Sequence, residues 1–203
     1  MIIDWPIFIA ATVALLLPVT IFISGETKSR LADRHVHRFR FELGLVAWQN
    51  WLDLGRALAG FYLLREMAFV FEANGENLEG VDRYMDSILF CAVAFTGLLL
   101  QTVHRRGFFY CLAPVFYLWG LTFIMSHWIP AVFALVFGTL IGRMMDNVEA
   151  KLVISMALLL ATGYLTGHMT FLLILNGGFL LAPIVFGWIF KSTSLGFLAA
   201  GRG

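Results

Sequence analysis

Residues 42–72 read ELGLVAWQNWLDLGRALAGFYLLREMAFVFE, an apolar stretch of helix length broken by Asp53, Arg56, Arg65 and Glu66. A membrane-crossing helix needs about 20 mostly apolar residues, and no window of that length here avoids both charged pairs. An ionisable side chain in hydrocarbon costs roughly 2.5–3.5 kcal/mol even on insertion scales. A helix made from this stretch is therefore expected to turn its charges toward protein or water rather than lipid.

The whole chain points to the same solvent. Hydrophobic residues make up 60% of the 203 positions, charged residues 13%, and mean hydropathy is +0.84, which excludes an ordinary soluble composition. The formal net charge of +1 gives no signal for nucleic acid as a partner; what matters is where the charges fall. Trp5 to Ser24 is uncharged and long enough to cross once, with neither a basic stretch before it nor a cleavage pattern after it, so it reads as a retained helix bent by Pro18. Gly25 to Glu42 follows with Lys28, Arg30, Arg34, Arg38 and Arg40 against three acids, which places it on the cytoplasmic side and the N-terminus outside.

Later segments alternate as that orientation requires. Glu72 to Asp86 holds Glu72, Glu76, Glu79, Asp82 and Asp86 with only Arg83, as an outside loop should, and Ser87 to Val103 then leads to His104-Arg105-Arg106 inside. Gly107 to Gly142 carries no charge over 36 residues. As one helix it would be about 54 Å long against a hydrocarbon core of about 30 Å, so it must reverse, at Ser126 to Pro130. Leu152 to Phe190 repeats the pattern, turning between Gly163 and His168, with Arg143 and Lys151 bracketing an inside loop before it and Lys191 and Arg202 marking an inside tail.

The expected fold is thus an all-α, polytopic transmembrane helical bundle. It has about seven spans, the N-terminus outside and the C-terminus cytoplasmic, with residues 1–203 forming one integral domain of a cell membrane. Trp48 and Trp51 allow a variant in which Glu42 to Leu52 lies in the interface and Leu54 to Phe71 makes the crossing. If all of 42–72 lies in the interface, six spans remain, and the acidic 72–86 segment argues against that.

Chemistry is sought where polar groups interrupt this pattern. Gln49, Asp53, Arg56 and Gly60 recur at helical spacing and share one stripe, next to Asn50. One reading is a polar path for a small ion or solute, completed by Arg65 and Glu66 and by a break in the last helix at Asn176-Gly177-Gly178 and Pro183, where freed carbonyls can face a cavity. The other is a self-neutralised ion pair that locks this helix to its neighbours. Gly138/Gly142 and Gly163/Gly167 are spaced four apart, which lets a second helix approach closely, in the same chain or in another copy.

Arg34, Arg38 and Arg40 could dock on anionic lipid or on a cytoplasmic partner. No cofactor is called for by a motif. His127 and His168, near the outer surface, are the one histidine pair at matching depth for a haem, and no Cys, His and carboxylate spacing completes a metal site. Cys91 and Cys111 lack a CxxC pattern, no hydrolase or nucleotide-binding motif is present, and the last span has no interior lysine for a retinal. Two non-enzymatic readings follow: the preferred one is a channel or transporter, in a homo-oligomer, and the alternative is a non-catalytic subunit held among other membrane subunits by intramembrane charges and the basic loop.

Overall fold

Local capping chemistry sets the helix boundaries in the computed structural model, which describes residues 2–17, 48–67, 69–70, 82–106, 108–190 and 195–197. Asp4 caps the first helix, α1 (Trp5–Leu16), by accepting from the Ile7 N–H at 3.2 Å, and Pro6 sits in the first turn, where its missing N–H is not needed. The helix stops at Leu16 because Leu17 precedes Pro18 and is driven to an extended conformation. The expected course of this helix from Pro18 to Ser24 lies outside the described residues.

Next come α2 (Trp48–Tyr62), which runs into a π-helical turn (Leu63–Met67), then α3 (Asp82–Thr102), α4 (Val115–Met125), α5 (Trp128–Met144), α6 (Val148–Leu165) and α7 (Phe171–Ile189). The fold of the described residues is all-α in its body. Its strands are short and lie at helix ends. Ile2–Ile3 (β1) pairs antiparallel with Phe69–Val70 (β2), while Val103–Arg106 (β3), Phe108–Ala113 (β4) and Leu195–Phe197 (β5) form a second small sheet.

Both late turns occur where they are expected. Helix α5 ends on Asp146 at φ 54°, with the Asp146 and Asn147 N–H groups bonded back to Arg143 and Gly142 carbonyls. Asn147 then caps α6 through Glu149 N–H at 2.8 Å, so a three-residue link folds α5 back on α6. Helix α6 ends in the same way on Gly167, at φ 70°, with His168 N–H bonded to the Gly163 carbonyl.

Two expectations need correction. The stretch after Gly107 is strand through Ala113, because Phe108-Phe109-Tyr110 favours an extended chain and Pro114 disfavours helix in the residue before it. Helix α4 is then only about 17 Å long. Helix α7 runs unbroken through Asn176, Gly177, Gly178 and Pro183. Among the described residues, two helices, α6 and α7, are both long and apolar enough to cross a membrane; α1, α4, α5 and residues 87–102 of α3 are apolar but shorter.

Packing places α4 at the centre. Apart from Trp119, Phe123 and Ile124, all its residues are buried. Helix α2 lies against α1 and α4, and α7 reaches α3, α4 and α6. Gly60 meets Leu15 and Ala11 of α1, Gly120 meets Ala57 of α2, and Phe61 packs on Tyr117 and Phe90 with ring centroids 5.2 and 5.6 Å apart. Helix α2 is thus part of the bundle and not peripheral to it.

Candidate functional site

The buried charges of α2 meet the ends of two neighbouring helices. Asp53 is 3% exposed. Its carboxylate accepts from Arg56 Nε at 2.8 Å and from the backbone N–H of Tyr117, in the first turn of α4. Pro114, which precedes that turn, supplies no side-chain cap, so Asp53 serves as the anionic cap of α4 from another helix. Arg56 Nη1 donates to the carbonyls of Ala14, at 2.8 Å, and Leu17. In a continued helix the Ala14 carbonyl would accept from residue 18, but Pro18 has no N–H. Arg56 supplies the missing donor. Gln101 Nε2 of α3 takes the adjacent Leu15 carbonyl at 3.2 Å.

The same helix carries a third such contact. Arg65 donates to the Ile124 carbonyl in the last turn of α4 and pairs with Glu66 at 3.4 Å. Asp53 and Arg65 thus place a negative charge at the positive end of α4 and a positive charge at its negative end, both from one neighbouring helix. Arg65 and Glu66, which the sequence turns toward protein or water, have side chains 43% and 52% exposed. Asn50 is buried beside this cluster, and Gln49 is helical with its side chain outside the described residues.

Polar atoms without a partner gather at the same end of the bundle. Tyr117 Oη and Gln101 Oε1 are fully buried with no hydrogen bond. A Cβ on Gly97 of α3 would collide with Tyr117 Oη and fall 3.0 Å from the Leu15 carbonyl, so these groups crowd the end of α1. Cys91 and Cys111 are not joined in a disulfide.

At the opposite end, Asn176 of α7 is fully buried. It donates to Ser126 Oγ at 2.7 Å and accepts from Thr122 Oγ1 at 3.4 Å, joining α7 to α4 by side chains alone. Gly177 touches Met156 and Leu160, and Gly178 faces open space. Gly138 and Gly142 meet Ser155 and Lys151 of α6, and Gly163 meets Leu173, so these contacts are filled within one chain. Gly167 forms the turn instead of a packing face.

His127 and His168 do come together. Their rings stack with centroids 3.9 Å apart at 14°, and His127 Nδ1 accepts from Ile129 N–H at 3.5 Å as the cap of α5. Faces rather than ring nitrogens oppose each other, so holding an iron between them would require the rings to part. Among the described residues no three His, Cys, Asp or Glu side chains cluster as metal ligands. Arg34, Arg38 and Arg40 lie outside the described residues. No family model, curated protein or solved structure matches this chain.

Lys151 behaves differently from a loop marker. It is 1% exposed, with Nζ 5.0 Å from the Trp119 ring centroid. The period reveals why: Lys151, Ser155, Leu159 and Gly163 recur every four residues on the buried face of α6. Tyr117, Gln101, Thr122 and Ser126 also belong to the polar interior, and nothing in their sequence spacing links them to α2.

Proposed function

We propose that this chain is a multi-pass protein of the cell membrane, with about seven spans and its N-terminus outside, acting as a non-catalytic subunit of a membrane assembly. The observation that carries this reading is the use of Asp53, Arg56 and Arg65 at helix ends: each has a structural partner, and Gly60, on the same stripe as Asp53 and Arg56, is filled by Leu15. That stripe holds the bundle together. Support for the membrane setting comes from α5, which exposes Val132, Phe133, Val136, Phe137 and Leu140, and from the two long apolar helices. Contiguous apolar surface of this kind is rare on soluble monomers. The residues flanking Arg34, Arg38 and Arg40 then face the cytoplasm and can hold a partner or anionic lipid.

A second reading, conduction of a small ion or solute, is favoured by one observation. Tyr117 Oη and Gln101 Oε1 are buried without partners near Asp53, as groups bordering a wet recess would be. Purification in mild detergent separates the readings. Co-purification of other membrane proteins in fixed ratio is expected. Ion flux in liposomes that Asp53→Asn changes without loss of folding would reverse the preference. Alkaline carbonate extraction checks the membrane setting by itself.

A further inference from the structure

We propose that His127 and His168 form a proton-released clasp across the open end of the α5–α6 hairpin, a device that goes beyond the assembly reading and does not depend on it. The hairpin is closed at one end by the Asp146-Asn147 link. At its other end the two arms stop beside each other: His127 caps the start of α5, and His168 follows the last residues of α6. The stacked imidazoles span that end, with centroids 3.9 Å apart.

The clasp is shut while His127 is neutral. Its Nδ1 accepts from the Ile129 N–H, a bond that only the unprotonated nitrogen makes. The same ring stands at the positive end of α5, where a cation is unfavourable, while His168 stands beyond the negative end of α6, where a cation is favourable. One proton, on His168, is therefore accommodated. A second, on His127, ends the cap and sets two like charges face to face, which at about 4 Å in water shifts an equilibrium about fivefold.

Nothing charged nearby is left over to answer that second proton. Among the described residues no carboxylate pairs with either ring. The last turn of α4 carries Arg65 through the Ile124 carbonyl, but Glu66 already neutralises it, and Tyr117 lies at the other end of α4. Helix α6 adds Tyr164 at this end, while its Glu149 and Lys151, like Arg143 of α5, lie at the linked end; α7 has no titratable side chain. Water reaches both rings, since His127 is exposed and His168 half-buried. Histidine is the side chain whose charge changes between pH 5 and 8, so acidification opens this end of the hairpin while the far link stays closed.

The test measures hydrogen exchange of the full chain in detergent at pH 8 and pH 5, with labelling times scaled for the chemical rate at each pH. In the wild type the amides of residues 129–132 and 164–168 should open about fivefold more at pH 5, while those of 144–147 keep their protection. His127→Asn keeps a cap and His168→Phe keeps a ring, and each, lacking one of the two charges, should hold the pH 8 level of protection at pH 5. Should His168→Phe not fold, His168→Gln takes its place with the same expectation. Equal opening of the clasp end at both pH values in the wild type overturns the proposal, as does a pH 5 response that survives in either folded variant or that appears equally at 144–147.

Discussion

Replacing Asp53 by Asn removes one charge from a buried pair while keeping its shape. Asp53 is 3% exposed and the Arg56 side chain 10%, so little solvent is at hand to compensate. Deleting one member of such a pair costs about 3–5 kcal/mol, mostly because the other charge is left behind. Two features reduce this here. The substituted amide would still offer an oxygen to Tyr117 N–H and Arg56 Nε, at about 1 kcal/mol per neutral bond, and Arg56 keeps the Ala14 and Leu17 carbonyls. The expected loss is about 2–3 kcal/mol, a large share of the roughly 5–15 kcal/mol that holds a typical fold. For a chain of this size it lowers Tm by about 4–12 °C. The assay is thermal unfolding in detergent for Asp53→Asn, Arg56→Gln and the double variant. The double variant should lose at least about 1 kcal/mol less than the sum of the single losses, because neither charge is stranded. Additive losses, or a cost for Asp53→Asn below about 0.5 kcal/mol, would refute a structural pair.

Other outcomes follow from single contacts. Arg65→Met removes the bond to the Ile124 carbonyl from a side chain that is 43% exposed, so solvent screening keeps the loss near 0.5–1 kcal/mol, readable by thermal unfolding. Gly142→Ala drives a methyl into Lys151 Cβ and to 2.9 Å from its Cα, and should cost about 1–3 kcal/mol by overpacking; Gly178→Ala, with open space around it, should be neutral or raise Tm. Asn147→Ala leaves the Glu149 and Ala150 N–H groups uncapped and should lower stability by about 0.5–2 kcal/mol, with hydrogen exchange rising first in the early turns of α6. In the proposed membrane setting, Asn176→Leu should cost only about 0.6–1.7 kcal/mol despite full burial, because polar contacts between helices in lipid have modest net value.

Helix order and turns were legible where single residues decide them. Pro130, in the first turn of α5 behind the capping His127, marks one helix boundary, and Gly167 marks a later one, because proline is tolerated in a first turn and a left-handed glycine ends a helix. Hydropathy could not separate strand from helix in Phe108–Ala113, since short apolar runs suit both and only Pro114 and the aromatic run hint at the answer. The charged stripe of α2 was visible from its period, and so was the internal pairing of Asp53 with Arg56. What the charges meet was not: the ends of α1 and α4 lie some 40 to 60 positions away, and a helix terminus has no residue type of its own. Lys151 was obscured for the opposite reason. Its charge suggested a loop, while its spacing from Ser155 and Gly163 placed it inside.

In the membrane setting proposed above, the donor that Pro18 withholds from α1 has a consequence for biogenesis. Until Arg56 emerges from the ribosome, the Ala14 and Leu17 carbonyls have no donor from α2, and Arg56 entering hydrocarbon alone would be equally ill at ease. Each resolves the other's problem, so α1 and α2 should leave the translocon as a joined hairpin rather than one after the other. A nascent chain stalled before residue 56 should then release α1 back to the aqueous side more readily than one stalled after it.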